Sequence, residues 1–106
     1  MKKIECIIRP EKLKELAEEL CLIGISGLTA MEVKGFGRQT TRPDNYLFLP
    51  KTKVDIYLAD DQVEEVLETI TKICRTGKIG DGKIVILPVD DALRIRTGER
   101  NNLAVF

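Results

Sequence analysis

The sequence predicts an α+β sandwich, a four-stranded antiparallel sheet with two helices on one face, in the order β-α-β-β-α-β. Two stretches, Lys2 to Arg9 and Lys51 to Leu58, alternate apolar and polar residues with the period of a half-buried strand. Each is followed by a segment whose apolar residues recur at helical spacing. The two halves also repeat. A shift of 50 residues lays Ile4 on Val54, Cys6 on Ile56, Ile8 on Leu58, Leu13 on Val63, Leu16 on Val66, Leu20 on Ile70 and Gly27 on Gly77. Two β-α-β units in tandem fit the ferredoxin-like sandwich, with all 106 residues forming one domain.

Each element has a local reason. In the first strand Ile4, Cys6 and Ile8 share one face while Lys3, Glu5, Ile7 and Arg9 share the other. Pro10 ends it and suits the first turn of a helix. Leu13, Leu16, Ala17 and Leu20 then form an apolar stripe against Lys12, Lys14, Glu15, Glu18 and Glu19, and this helix ends near Gly24. Leu28 to Phe36 reads as the second strand, becoming irregular at Gly35 and Gly37. Arg38 to Pro50 has the composition of a surface loop. After the third strand, Asp61 and Glu64 have capping-box spacing, and Val63, Val66, Leu67, Ile70 and Ile73 give the second helix its stripe. Lys83 to Leu87 is the fourth strand, closed by Pro88. The tail from Asp90 is weakly patterned. Helices cover one sheet face only, so the other, with Ile7, Tyr57 and part of the fourth strand, is expected to meet other copies of the chain.

Composition excludes several functions. Seventeen basic residues balance 17 acidic ones, which leaves no long-range attraction for a nucleic-acid backbone or an anionic membrane. No apolar run is long enough to span a bilayer, and Glu5 interrupts what would be a signal-peptide core, so a cytoplasmic protein is expected. There is no histidine, which removes imidazole acid-base chemistry and the usual zinc sites. Cys6, Cys21 and Cys74 lack CxxC spacing and read as small buried hydrophobes, with a reactive thiol as the alternative.

The stretch richest in chemistry is Thr76-Gly77-Lys78-Ile79-Gly80-Asp81-Gly82-Lys83. Glycines let backbone N–H groups converge on an anion, and a terminal lysine adds positive charge. Gly77 to Lys83 matches the start of a P-loop. However, Ile84 replaces the hydroxyl residue that would hold Mg²⁺, and the loop runs from helix into strand rather than the reverse. The residues therefore offer a phosphate cradle without hydrolytic machinery, or an ordinary glycine-rich turn. Arg94 and Arg96, at i and i+2, project the same way and either clasp phosphate or line a solvated edge.

Three segments together resemble the PII nitrogen-regulatory signal transducers. They are Gly35-Phe36-Gly37-Arg38-Gln39, Arg75 to Ile84, and Arg94-Ile95-Arg96-Thr97-Gly98-Glu99. The resemblance implies a non-enzymatic regulator, a homotrimer that binds ATP or ADP in clefts between subunits. It implies a T-loop at about 37–50, a B-loop at about 76–83 and a C-terminal segment at about 90–106. By motif position Gly80, Asp81, Gly82 and Lys83 would wrap the phosphates, with Arg94 and Arg96 reaching them from the adjoining subunit. Gly35, Phe36, Gly37, Arg38 and Gln39 would line the cleft. Thr29, Asp55 and Tyr57 would hold adenine and ribose, with Asp55 where the family usually has Glu, and Ile7 and Gly27 complete the implied nucleotide set. Gln39 would join ATP in holding Mg²⁺ and 2-oxoglutarate, and Lys51 would pair with a 2-oxoglutarate carboxylate.

The departure lies between Gln39 and Phe48, where this chain has a shorter insertion than long-loop members. Tyr46 does not match the modified tyrosine of that loop, so no modification site is carried over. The implied partners are a regulated enzyme or membrane transporter. The alternative is a variant tuned to another small anion or nucleotide, such as bicarbonate or AMP, in carbon or metal metabolism. A slow ATPase lacks a general base, and a ligand-free oligomerisation module leaves the three motifs unexplained.

Overall fold

The computed structural model describes residues 1–37 and 48–106. Strand β1 (Lys2–Ile8) leads through a 3₁₀ turn, Pro10–Lys12, into helix α1 (Leu13–Leu22), and β2 (Thr29–Gly35) follows. Strand β3 (Leu49–Leu58), a second 3₁₀ turn at Asp60–Gln62, helix α2 (Val63–Cys74) and β4 (Lys83–Pro88) complete the duplication. A short helix α3 (Asn102–Val105), not anticipated in the weakly patterned tail, closes the chain. The sheet order is β2-β3-β1-β4 with every pairing antiparallel, as the tandem β-α-β reading requires.

The repeat shows in the core. Ile4, Cys6 and Ile8 from β1 and Val54, Ile56 and Leu58 from β3 are buried on one sheet face, where Leu16 and Leu20 of α1 and Val66 and Ile70 of α2 cover them. Both helices therefore bury the stripe that their spacing predicts, each buried aliphatic side chain contributing about 1.5–3 kcal/mol. Helix α1 ends where the chain turns left-handed at Gly24 (φ +89°): Gly24 N–H donates to Cys21 O and Ile25 N–H to Leu20 O. This pairing satisfies the last carbonyls of the helix, and a residue with a Cβ would be strained there.

Three local expectations need correction. The turn before α2 is closed by Gln62, whose Oε1 accepts the Ala59 N–H at 3.1 Å, rather than by Asp61 and Glu64. Gln62 sits three residues beyond Ala59, so the pair lies two residues earlier than the acidic pair suggested. Strand β3 begins at Leu49 instead of Lys51, because Leu49 and Pro50 pair with Gly35 and Lys34 of β2. Cys6 and Cys74 are buried as expected, but Cys21 is exposed on the polar side of α1. Burial pushes the Cys6 thiol up to about 12, with a smaller contribution from neighbouring Cys74, which suits a packing role.

Candidate functional site

The open sheet face is built in cross-strand rows. Met31, Lys53, Ile7 and Lys83 form one, and Thr29, Asp55, Glu5 and Val85 the next. Tyr57, Lys3 and Leu87 form a third. An ion network stitches the middle of the face: Lys53 Nζ lies 2.8 Å from Glu5, and Lys3 Nζ lies 3.5 Å from Glu5 and 3.7 Å from Asp55. Lys3 Nζ also sits 6.0 Å above the Tyr57 ring.

At one end of these rows the glycine loop crosses the end of β1. Gly82 (φ +94°) packs so closely on β1 that a Cβ there would lie 1.7 Å from Ile7 O. The contact requires glycine and fixes the loop on the sheet. Asp81 closes the loop on itself. Its Oδ2 accepts the N–H groups of Thr76 (2.8 Å) and Gly77 (2.9 Å), and its Oδ1 accepts the Thr76 hydroxyl. These bonds, led by those from Thr76, hold the Asp81 carboxyl down to about 2, with Arg9 adding to the effect. The carboxylate is thus engaged within the loop, and what Asp81 can offer an anion is its backbone amide.

Two cations tie the loop to the sheet from the other side. Arg9 Nη2 donates to Ile79 O at 3.1 Å and lies 3.5 Å from Asp81 Oδ1, and Lys51 Nζ donates to Gly80 O at 2.9 Å. The Lys51 pKa is lowered, first by burial and then by the nearby Arg9 guanidinium. A cavity of about 530 Å³ lies here, with a floor of Ile7, Leu49 and Lys51 and walls formed by Gly35 to Gly37 and by the loop from Lys78 to Lys83. Its size suits a small-molecule site, typically about 300–1,000 Å³. Behind the loop a smaller cavity of about 160 Å³ is lined chiefly by Ile8, Ile70, Cys74 and Ile84.

Of the sequence-predicted site residues, the structure brings together Ile7, Gly35, Phe36, Gly37, Lys51, Gly80, Asp81, Gly82 and Lys83 around the larger cavity. Thr29, Asp55 and Tyr57 lie further along the open sheet face, Thr29 paired with Asp55. Gly27 sits in the segment leading into β2. Arg94 is bonded to Glu99 at 2.8 Å and to the Phe106 carbonyl, whereas Arg96 is exposed, and neither lines this cavity. Arg38 and Gln39 fall outside the described residues, as does Tyr46. Sequence reasoning missed Arg9, because its partner Ile79 is 70 residues away and no local pattern links them. It also missed Phe48, whose ring meets Phe36 edge-on at 5.6 Å just beyond the last β2–β3 pair, Gly35 with Leu49. Among the described residues no group of three or more His, Cys, Asp or Glu could hold a metal ion. No helix among them is long and apolar enough to cross a membrane.

The chain matches the family model described as nitrogen regulatory protein P-II over residues 1–99. It is 53% identical to the nitrogen regulatory protein P-II of Cereibacter sphaeroides and 47% identical to the nitrogen regulatory protein GlnK of Escherichia coli K12. Each alignment covers 99% of this chain and 100% of the relative. Its fold is similar to that of Arabidopsis thaliana PII solved bound to citrate, with a TM-score of 0.84 and 43% identity over 98% of this chain and 88% of the other.

Proposed function

Since the chain belongs to the nitrogen regulatory P-II family, whose proteins are signal-transduction regulators and not enzymes, we propose that it senses adenine nucleotide and relays the occupancy to a partner protein. The observation that carries this reading is the closed glycine loop, Thr76 to Lys83, standing against Gly35 to Gly37 over one cation-bearing cavity. Backbone amides freed by glycine, with Lys83 and Lys78 beside them, are chemistry for polyphosphate. Arg94 and Arg96 reach the phosphates from the adjoining subunit of a homotrimer. Thr29, Asp55 and Tyr57 hold adenine and ribose across the same boundary, with Gly27 nearby.

Mg²⁺ and 2-oxoglutarate complete the site through Gln39 and Lys51. The loop between Gly37 and Phe48 then binds or releases a nitrogen-assimilation enzyme or a transporter, according to the ligand. A nucleotide shifts that balance only by its differential affinity for the two loop states. Calorimetry with ATP and ADP, each with and without Mg²⁺ and 2-oxoglutarate, tests the reading. Binding of either nucleotide is expected at micromolar to millimolar concentration, and no heat with either would overturn it.

A second reading is favoured by one observation. The similar Arabidopsis protein was solved with citrate, a small polycarboxylate, and Lys51 and Arg9 place two cations beside this cavity. A carboxylate effector that binds without nucleotide would support an anion sensor. A response that requires Mg-ATP would exclude it.

A further inference from the structure

Two consecutive carbonyls of the glycine loop are held by cations from two different strand ends. Ile79 O accepts from Arg9, just past β1, and Gly80 O accepts from Lys51 in β3. In a trans peptide the C=O and the following N–H lie in one plane and point in opposite directions. No peptide bond here is cis, so fixing Ile79 O and Gly80 O also fixes the N–H groups of Gly80 and Asp81, each aimed away from its cation. Among the described residues the Gly80 N–H has no acceptor, and the Asp81 N–H meets only Lys78 O in a turn whose geometry falls short of a full hydrogen bond, whereas the N–H groups of Thr76, Gly77 and Lys78 are all bonded.

The Arg9 tether is itself built in. Its side chain is 16% exposed, and its guanidinium also meets Asp81, the residue that closes the loop. Gly82 on Ile7 O supplies a third fixed point one residue further on. The loop is therefore pinned on its carbonyl side at residues 79 and 80, and open on its amide side at residues 80 and 81.

We propose that Arg9 and Lys51 are positioning residues: by holding the carbonyls of Ile79 and Gly80 they turn the amides of Gly80 and Asp81 outward as a preformed pair of donors for the polyphosphate of a nucleotide. The inference rests on the nucleotide reading above for its ligand, but not for its geometry. An anion meets two N–H groups already oriented and pays no ordering cost for those peptides.

The test uses the full chain with Arg9→Met and Lys51→Met, which keep an apolar stem and remove the donors, and Arg9→Lys as the conservative variant. In ligand-free protein, the amide signals of Gly80 and Asp81 should shift and broaden in both methionine variants, while those of β1 stay in place. ADP affinity should fall about tenfold or more in each, because the loop amides must then be ordered when phosphate binds. Affinity for adenosine, which lacks phosphate, should not change, and Arg9→Lys should recover most of the ADP affinity. Ligand-free Gly80 and Asp81 signals that overlay those of wild type would overturn the proposal, even with weakened ADP binding, because the cations would then touch phosphate directly. ADP affinity within twofold of wild type in both methionine variants would overturn it as well. If wild type binds no nucleotide, the nucleotide reading falls, and the ligand-free amides alone decide whether the cations orient the loop.

Discussion

Gly82 has no room for a side chain. A Cβ would sit 1.7 Å from the Ile7 carbonyl oxygen, and φ is +94°, so Gly82→Ala must move either the loop or β1. The left-handed backbone alone costs about 1–2 kcal/mol for a residue with a Cβ, and the clash adds to it. Urea denaturation should show that loss, whereas Gly27→Ala, which meets nothing within 4 Å, should stay within about 0.5 kcal/mol of wild type. Asp81 makes a second prediction at this scale. Its carboxyl is held down to about 2 by Thr76, Gly77 and Arg9, below its ordinary value of 3.8. A group whose pKa is lower in the folded state stabilises that state while ionised. The contribution is full above about pH 4 and disappears as pH falls through about 2. Amide signals of Thr76 and Gly77 should therefore shift between pH 4 and pH 2. In Asp81→Asn the same signals should already be displaced at neutral pH and should not titrate in that window.

At the scale of elements, strands and helices were legible wherever one face is buried and the other wet. The alternation of β1 and β3 and the stripes of α1 and α2 read directly, because burial against a single layer imposes period two or period 3.6. Boundaries set by long-range pairing were not. Strand β3 starts early because β2 supplies its partners, and the turn before α2 is closed by an amide, Gln62, that carries no charge signal. For the site, the glycine loop and its helix-to-strand setting were legible from composition. The contacts that orient it were not: Arg9 carried no signal, and Lys51 stood out only through the family resemblance and for a different partner, since the two lie 70 and 29 residues from the carbonyls they hold. The Phe36–Phe48 pair belongs to the same class of long-range contact. It continues the β2–β3 register by one step beyond Gly35 and Leu49, where the ladder stops, and so sets the spacing from which the loop departs. Phe48→Ala should remove an edge-to-face contact of about 0.5–1.5 kcal/mol. Hydrogen exchange at Gly35 and Leu49 should rise while protection of β1 is unchanged. Equal loosening of β1 would mean that the pair supports the whole sheet rather than the stem of the loop.

For the whole molecule, the helices leave one sheet face uncovered. Its rows end in Met31, Tyr57, Val85 and Leu87, between 36% and 48% exposed, around the Lys3, Glu5, Lys53 and Asp55 ion network. A 106-residue chain has a limited core of its own, and such a half-apolar face is what assembly would cover. Leu87→Asp isolates the face from the fold. In a single chain the new carboxylate stands opposite Lys3 on β1, where a cross-strand ion pair can accept it, so the subunit should fold as before. Against another copy the same carboxylate would be desolvated in place of a leucine that packs there, a cost of several kcal/mol per ion. Sedimentation of wild type should give three times the 11.9 kDa chain mass, and Leu87→Asp should sediment as a single chain with an unchanged circular dichroism spectrum. Nucleotide affinity should fall with it, because Arg94 and Arg96 come from the neighbouring subunit in the proposed site. A variant that stays trimeric would place the interface elsewhere. A single-chain variant that keeps full ADP affinity would mean that one subunit holds the entire phosphate site.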